Sequence, residues 1–297
     1  MDAFRTPEER FTDIPDFPYG PRYREWQGLR LAHLDEGNES RPAIVLLHGE
    51  PTWSYLWRKV MGPLLEAGHR CVVPDLPGFG RSDKPTDPAW YSYGRHTAAL
   101  TDLFETLDLR AVTLVVHDWG GPIGLRAATL SVPERVSRFV VMDTGVFDGR
   151  QRMTDDWLRF KAFVKWSPAL PIKRLVRAGC HGTPTDETLA AYKAPFPTEG
   201  SKAGARTFPE MIPLAPEEEG ADAGASVKEA LLSSRRPALV FWGDSDRVLP
   251  LESAGREMAK LMTGSESLTT VEGAGHFLQE DRGEFIGGEI TRWLASG

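Results

Sequence analysis

Cysteine is scarce in this chain, with Cys71 and Cys180 the two that occur among 297 residues. Two cysteines build no disulfide framework and here have no metal-ligand spacing, so both are expected to be free thiols in a reducing compartment. The sequence also lacks a run of about 20 apolar residues, and its start has no signal-peptide pattern. These absences predict a cytoplasmic protein without a membrane span.

Positive charge is in deficit. Lysine and arginine total 35 against 42 acidic residues, a formal net charge of −7, which argues against nucleic acid or an anionic membrane as a partner. The histidines lack ligand spacing, so neither a metal nor a cofactor is expected. With 41% hydrophobic residues the chain can build a substantial core, and its charge favours a small, uncharged substrate.

Apolar runs that alternate with helical stretches dominate the chain. They predict a mostly parallel sheet with right-handed crossovers, an α/β architecture. Alternating residues on both sides of Gln27-Gly28 predict a hairpin at one antiparallel edge of that sheet. Residues 1–21 have no periodicity and are interpreted as an irregular surface arm. The predicted parallel strands are Ala43–His48, Arg70–Asp75, Val112–His117, Arg138–Asp143, Pro237–Trp242 and Ser267–Val271.

The regular alternation of predicted strands and helices stops between Thr144 and about Ser234, where Pro, Gly and acidic residues are scattered. An insertion of this length between two strands suggests a helical lid, so residues 1–143 and 235–297 would form the core and 144–234 the lid. Within the lid, residues 217–226 are interpreted as flexible. Three short helices are predicted, at Asp155–Lys165, Pro171–Ala178 and Asp186–Lys193.

The run Val112–His117 ends on Asp118 and opens onto Gly120 and Gly121. A strand, a tight turn and a helix start in this order form a nucleophile elbow, usually written G-x-S-x-G. Here Val116 stands at the first glycine and an aspartate at the nucleophile position. A carboxylate can displace a leaving group from saturated carbon and become an ester, whereas a serine attacks acyl carbon. The alternative is that Asp118 caps the following helix.

Two loops after late strands carry what such a nucleophile needs. Asp246 lies in the loop 243–250, and His276 lies in the Gly-rich loop 273–277. Together with Asp118 they follow the chain order nucleophile, acid, histidine, and all three come at carboxyl ends of predicted strands. This coincidence favours catalysis over a structural role for each residue.

Five long motifs, spread over core and lid, closely resemble those of haloalkane dehalogenases, which have the α/β-hydrolase fold. They are His48-Gly-Glu-Pro-Thr-Trp-Ser-Tyr-Leu, Asp75-Leu-Pro-Gly-Phe-Gly-Arg-Ser-Asp-Lys-Pro, His117-Asp-Trp-Gly-Gly, Tyr192-Lys-Ala-Pro-Phe-Pro and Gly275-His-Phe-Leu-Gln-Glu. The resemblance implies hydrolysis of haloalkanes to alcohol, halide and proton through an alkyl-aspartate ester. It also implies a small apolar halogenated substrate, with water and halide as the other partners, and we expect a monomer or a weak homo-oligomer.

The resemblance assigns a role to each motif residue that carries chemistry. Asp118 would be the nucleophile, His276 the base, and Asp246 the carboxylate that orients the base. The backbone N–H groups of Glu50 and Trp119 would form the oxyanion hole, and the Trp119 indole N–H would bind halide. No cofactor or metal is implied, because the reaction needs only water.

The chain departs from the family pattern at the second halide donor. Phe160 stands where related enzymes place a tryptophan on the first lid helix, and phenylalanine has no N–H. Trp157, three residues earlier on the same helical face, and Trp166 are the two candidates to replace it. The alternative is that both tryptophans only pack in the lid, which would leave a weakly active dehalogenase-like hydrolase.

Family members place the acid either where Asp246 lies or after the strand that ends in Asp143, and this chain has acids at both positions. We favour Asp246, because Gly-x-x-Asp followed by a proline is the commoner arrangement. Asp143 remains the alternative acid.

Other activities use the same fold. Epoxide hydrolases share the Asp nucleophile but generally need two lid tyrosines, whereas residues 144–234 hold one, Tyr192. Dehalogenation of fluoroacetate would require arginines beside the nucleophile; Pro122 and Ile123, on the helix that follows it, supply none, and Arg126 is a turn further on. A binding protein with a decayed triad is disfavoured, since Asp118, Asp246 and His276 are all present.

Overall fold

The computed structural model describes residues 2–296, apart from the side chain of Glu266. Its centre is an eight-stranded sheet with the strand order β10-β9-β8-β7-β4-β5-β3-β2, in which β2 and β3 are antiparallel to their neighbours and the other pairs are parallel. The strands are β1 (Ala3–Phe4), β2 (Arg22–Trp26), β3 (Leu29–Glu36), β4 (Ala43–Leu47), β5 (Arg70–Pro74), β6 (Lys84–Pro85), β7 (Val112–His117), β8 (Val136–Met142), β9 (Ala238–Gly243) and β10 (Ser265–Val271).

Helices cover both faces of this sheet and fill the segment between β8 and β9. They are α1 (Arg58–Glu66), α2 (Tyr93–Thr106), α3 (Gly120–Arg126), α4 (Asp155–Trp166), α5 (Ile172–Gly179), α6 (Asp186–Lys193), α7 (Ala203–Thr207), α8 (Ala221–Ser233), α9 (Arg256–Leu261) and α10 (Leu278–Ser296). Among the described helices, none is long and apolar enough to cross a membrane.

The central strands are buried on both faces. Every residue of β4 and β7 is buried, as expected for parallel strands covered by helices on either side. The predicted parallel strands and the β2–β3 hairpin are therefore confirmed, with small shifts at their ends. The prediction of an irregular surface arm at residues 1–21 is only partly correct, because β1 pairs antiparallel with β6 and Phe17 packs into the core.

The segment between β8 and β9 is helical, and α4, α5 and α6 lie within one residue of their predicted bounds. The flexible interpretation of residues 217–226 is wrong, because α8 begins at Ala221. Gly224, which suggested flexibility, instead allows α8 to pack against the backbone of Phe147, where a Cβ would overlap the carbonyl oxygen.

The parallel strands β4, β7, β8, β9 and β10 present their carboxyl ends at one edge of the sheet. The loops that follow them carry Glu50, Asp118, Asp143, Asp246 and His276 in that order. The fold therefore brings together at one edge residues that lie more than 200 positions apart in the chain.

Candidate active site

Asp118 occupies the sharp turn between β7 and α3. Its backbone φ is +49°, a left-handed conformation that is uncommon for residues with a side chain. The Asp118 carbonyl accepts hydrogen bonds from Gly121 N (2.9 Å) and from Thr144 Oγ1 (2.5 Å). Gly121 must be glycine because a Cβ there would overlap Thr144. The strained turn is thus over-determined by the surrounding backbone, and it presents the carboxylate above the sheet.

Two backbone N–H groups face this carboxylate. Glu50 N donates to Asp118 Oδ1 at 2.7 Å, and the Trp119 N–H also hydrogen-bonds to the side chain. Gly49 lets the β4 loop come this close, since a Cβ at that position would overlap Asp118 Oδ1. Burial raises the pKa of Asp118, but the hydrogen bond and charge of His276 outweigh burial and lower it below its usual value. The carboxylate is therefore ionised at neutral pH.

His276 lies between two carboxylates. Its Nε2 is 3.5 Å from Asp118 Oδ2, and its Nδ1 donates to Asp246 Oδ2 at 2.9 Å. Burial lowers the pKa of His276, whereas the charges of Asp246 and Asp118 raise it, and the net result lies well above the ordinary value. The imidazole is thus oriented by one acid and points its other nitrogen at the turn carboxylate.

Asp246 and Asp143 follow neighbouring strands but are held differently. Asp246 Oδ1 accepts hydrogen bonds from Val248 N (2.7 Å) and Leu249 N (3.0 Å), which leaves Oδ2 for His276. Asp143 accepts one from Gly243 N at 3.1 Å and is fully buried. Burial and the charge of Asp246 raise the pKa of Asp143 well above its usual value, which favours the neutral form of this carboxyl. Of the two acids, Asp246 is the one that contacts the histidine.

Sequence reasoning used only the backbone of Glu50, but its side chain also belongs to the site. It is 7% exposed, lines the same cavity as Asp118, and its Oε1 has no hydrogen-bond partner among the described residues. Burial and the nearby Asp118 charge raise the pKa of Glu50 well above its usual value, which favours its neutral form. An acidic residue between glycine and proline shortly after a buried strand marks a tight loop, but the local sequence does not report that its side chain is buried.

The cavity above Asp118 has a volume of about 140 Å³. Trp119 and Glu50 line it from the core, and the segment between β8 and β9 supplies a largely apolar roof. The roof residues are Trp157, Phe160, Leu175, Ala178, Gly179, Pro209 and Ile212. A cavity of this size and character fits a small apolar molecule.

Trp119 and Trp157 both line this cavity, and they also share a smaller one beside it. Two other buried indoles are engaged elsewhere: the N–H groups of Trp53 and Trp242 donate to backbone carbonyls. Trp157 and Phe160 are one helical turn apart on α4, so both side chains reach the cavity wall.

The assignment of Trp166 as the second halide donor is wrong. It lies nine residues after Trp157, which turns it half a revolution around the helix, and its side chain is 76% exposed. Trp157 is 5% exposed by contrast. The view that both indoles only pack within the lid is also incorrect for Trp157, since it faces the nucleophile's cavity.

Metal chemistry has no visible support in the described part of the chain. No group of three or more His, Cys, Asp or Glu side chains within residues 2–296 is arranged to hold a metal ion. The site therefore consists of a carboxylate, an oriented histidine, two backbone donors and two indoles.

Comparison with known proteins gives one consistent family. Residues 42–283 match the family model of the alpha/beta hydrolase fold. The chain is 40% identical to a haloalkane dehalogenase of Mycolicibacterium paratuberculosis, over 99% of this chain and 98% of that protein. It is 35% identical to one from Psychrobacter cryohalolentis, with coverage of 99% and 98%. A solved haloalkane dehalogenase from Paraglaciecola agarilytica NO2, described as tetrameric, superposes with a TM-score of 0.92 at 36% identity, covering 100% of this chain and 99% of that one.

Proposed function

The chain belongs to the haloalkane dehalogenases of the α/β-hydrolase fold, and from that premise we propose how its own residues hydrolyse a carbon–halogen bond. In this proposal Asp118 is the nucleophile, His276 the general base and Asp246 the acid that orients it. The observation that carries the proposal is the strained Asp118 turn, with His276 Nε2 3.5 Å from the carboxylate and Glu50 N 2.7 Å from it.

The first step is displacement at saturated carbon. The lowered pKa of Asp118 keeps its carboxylate ionised, and one oxygen attacks the carbon that bears the halogen. A carbon–oxygen bond forms as the carbon–halogen bond breaks, and the electron pair leaves with the halide. The apolar cavity desolvates the carboxylate for this attack, while the two backbone N–H groups hold its orientation.

The second step is hydrolysis of the ester. The charges of Asp118 and Asp246 both raise the pKa of His276. Alkylation removes the Asp118 charge, so the pKa of His276 falls. The imidazole then releases its proton to solvent and becomes a neutral base. Neutral His276 takes a proton from water, and the hydroxide attacks the Asp118 carboxyl carbon. The N–H groups of Glu50 and Trp119 hold the resulting oxyanion, at roughly 2.7–4 kcal/mol per donor. The bond between the carboxyl carbon and the alkyl oxygen then breaks, the alkoxide takes the proton from His276, and alcohol leaves. The Asp118 carboxylic acid loses its proton to solvent by way of His276, which restores the carboxylate.

The halide leaves into a cradle of two indole N–H groups. Trp119 follows the nucleophile directly and Trp157 faces it from α4, both at the wall of the same cavity. In this proposal Trp157 supplies the N–H that Phe160 cannot. A neutral donor stabilises a departing anion without binding it as tightly as a cation would.

Residues 144–234 act as the lid in this proposal, with core segments at 1–143 and 235–297. The lid supplies Trp157 and most of the apolar roof. A cytoplasmic location fits the two free cysteines, of which Cys71 is buried. Monomer or weak homo-oligomer remains our expectation, and light scattering on purified protein distinguishes it from a tetramer like that of the Paraglaciecola enzyme.

The test is a trapped intermediate. With 1-bromobutane, His276→Phe should still release bromide once per site but fail to hydrolyse the ester, giving a butyl mass increase on the peptide that holds Asp118. Wild type should turn over, and Asp118→Ala should show neither bromide nor adduct. Diol from styrene oxide without bromide from 1-bromobutane would favour an epoxide hydrolase instead. No adduct in His276→Phe, despite bromide release, would sink the two-step route.

A further inference from the structure

A second cavity is larger than the one that holds the nucleophile. Its volume is about 440 Å³, against about 140 Å³ above Asp118. It is bounded by residues 144–154, which follow β8, by Lys228 on α8, and by the segment 248–261. The mechanism above uses none of this space.

A small third cavity lies between the two and shares lining residues with each of them. Its volume is about 20 Å³, room for one water-sized particle. At one end it is lined by Asp118 and by the indoles of Trp119 and Trp157, which also line the nucleophile's cavity. Its remaining walls include four residues that it shares with the large cavity: Gly145, Phe147, Val248 and Leu249. The indole pair therefore stands where a narrow passage leads from the nucleophile to the large cavity.

The large cavity has a cationic rim. Arg150, Arg152 and Lys228 line it, together with the carboxylates of Asp148 and Glu257. Asp148 is neutralised within the cavity, since Lys228 Nζ lies 2.9 Å and Arg150 Nη1 3.6 Å from its carboxylate. This leaves one cation in excess at the rim of a protein whose net charge is −7.

The rim opens to solvent. The Arg150 side chain is 66% exposed, and Arg152 is exposed as well. Only the small third cavity therefore separates the indole pair from a space that holds many water molecules. A halide that entered it would regain hydration and meet positive charge.

Another part of the wall of the nucleophile's cavity is apolar, formed by Phe160, Leu175 and Phe277 among others. An anion that left through such a wall would lose hydration without gaining a partner, which is costly. An uncharged haloalkane or alcohol faces no such penalty there. The two sides of the site thus suit chemically different molecules.

We propose that the 440 Å³ cavity is a halide exit vestibule: the product anion passes from Trp119 and Trp157 through the constriction at Gly145 and Phe147, whereas the organic substrate and product use the apolar side. This rests on the proposed function only in taking the indole pair as the halide cradle. By microscopic reversibility the same passage admits halide from solvent, so bromide binding to resting enzyme reports on it.

The test is stopped-flow quenching of indole fluorescence by bromide, in a Trp166→Phe background that removes the exposed indole. Arg150→Gln/Arg152→Gln should slow bromide association and dissociation together, about three- to tenfold at low ionic strength, with a change in Kd below about twofold. Sodium sulfate at an ionic strength near 1 M should shrink the effect, because the screening length falls to about 3 Å.

The matched control is Arg174→Gln/Arg177→Gln. It removes the same charge from α5, the helix that gives Leu175 and Ala178 to the apolar side, and it should leave both rate constants unchanged. Gly145→Ala probes the passage directly, since its Cβ would come 2.8 Å from the Phe147 ring. It should slow exchange in both directions at any salt concentration.

The proposal is overturned if neither the rim variant nor Gly145→Ala changes bromide exchange, or if the α5 control alone slows it. These readouts need no turnover. A failure of the vestibule is therefore distinguishable from a failure of the dehalogenase mechanism, which would appear as absence of bromide release from 1-bromobutane.

Discussion

The floor and the roof of the nucleophile's cavity are built by different means. On the floor, the reacting groups follow strands of the sheet, and backbone N–H groups hold the carboxylates: Glu50 N binds Asp118, and Val248 N and Leu249 N bind Asp246. The roof presents side chains from short helices, and Trp157 reaches the cavity only through the phase of α4. The floor therefore fixes geometry through the backbone, and the roof fixes the chemical character of the space through side chains.

The comparison predicts where substitutions cost most. Groups on the floor act on the reacting bonds, and their loss cannot be replaced from another element. Groups on the roof stabilise the leaving group or shape the space, so their loss should cost less.

The two floor acids give the largest expected contrast. Asp246→Asn should lower the rate of ester hydrolysis by about 10³- to 10⁴-fold, because the amide would favour the wrong tautomer of His276. Asp143→Asn should change it by less than about threefold, since burial favours the neutral form of that carboxyl and its bond from Gly243 N can be kept. Single-turnover kinetics with 1-bromobutane measures both. A reversal of this order would make Asp143 the acid that orients the base.

The roof indoles come next. Trp157→Phe should reduce kcat/KM about 10- to 100-fold, because a hydrogen bond to a charged group contributes about 1.5–3 kcal/mol. Trp166→Phe is the matched control, being on the same helix but exposed, and should leave kcat/KM unchanged. Bromide affinity should weaken in the first variant alone. Equal effects from both substitutions would mean that α4 acts through its fold and not through an N–H.

A pH series separates the two steps. Bromide release in the first turnover should stay constant from pH 9 down to about pH 5, because the Asp118 pKa is lowered below its usual 3.8. Ester hydrolysis needs neutral His276, so its rate should fall about tenfold per pH unit below the pKa of that imidazole in the alkylated enzyme. Wild type at acid pH should therefore accumulate the same adduct as His276→Phe. Equal pH profiles for both steps would argue against a base that serves hydrolysis alone.

Much of the floor could be predicted from the sequence. The apolar runs locate the strands, and Asp118, Asp246 and His276 follow them directly. The Glu50 side chain was missed, because its role depends on burial between loops that are distant in the chain. No local pattern reports that environment.

Less of the roof could be predicted from the sequence. Helical spacing separates Trp157 from Trp166 by half a turn, but only the packing of α4 on the core shows which face points inward. Gly220 and Gly224 lie in the stretch 217–226 that was interpreted as flexible. Gly220 instead has a left-handed conformation just before α8, and Gly224 packs closely against the backbone of Phe147. A glycine in the sequence does not show whether its segment is flexible or closely packed, because that depends on the residues that surround it in the fold.

The smallest expected effect concerns how roof and floor are joined. Tyr192 on α6 donates its O–H to Glu280 of α10 at 2.9 Å, and Glu280 also takes both Nη atoms of Arg58 at 2.8 Å. Tyr192→Phe should therefore lower the free energy of unfolding by about 1 kcal/mol, and Tm by a few degrees, with kcat/KM for 1-bromobutane kept within about twofold.

Tyr23→Phe is the control, since it removes a bond to Glu8 at the surface, and it should leave Tm unchanged. Tyr192 has its proton committed to a carboxylate and lies fully buried, so it is not free to protonate a leaving alkoxide in the way that an epoxide hydrolase requires. Loss of turnover in Tyr192→Phe at unchanged Tm would contradict this, and would turn the one lid tyrosine from a link between roof and floor into a member of the reacting groups.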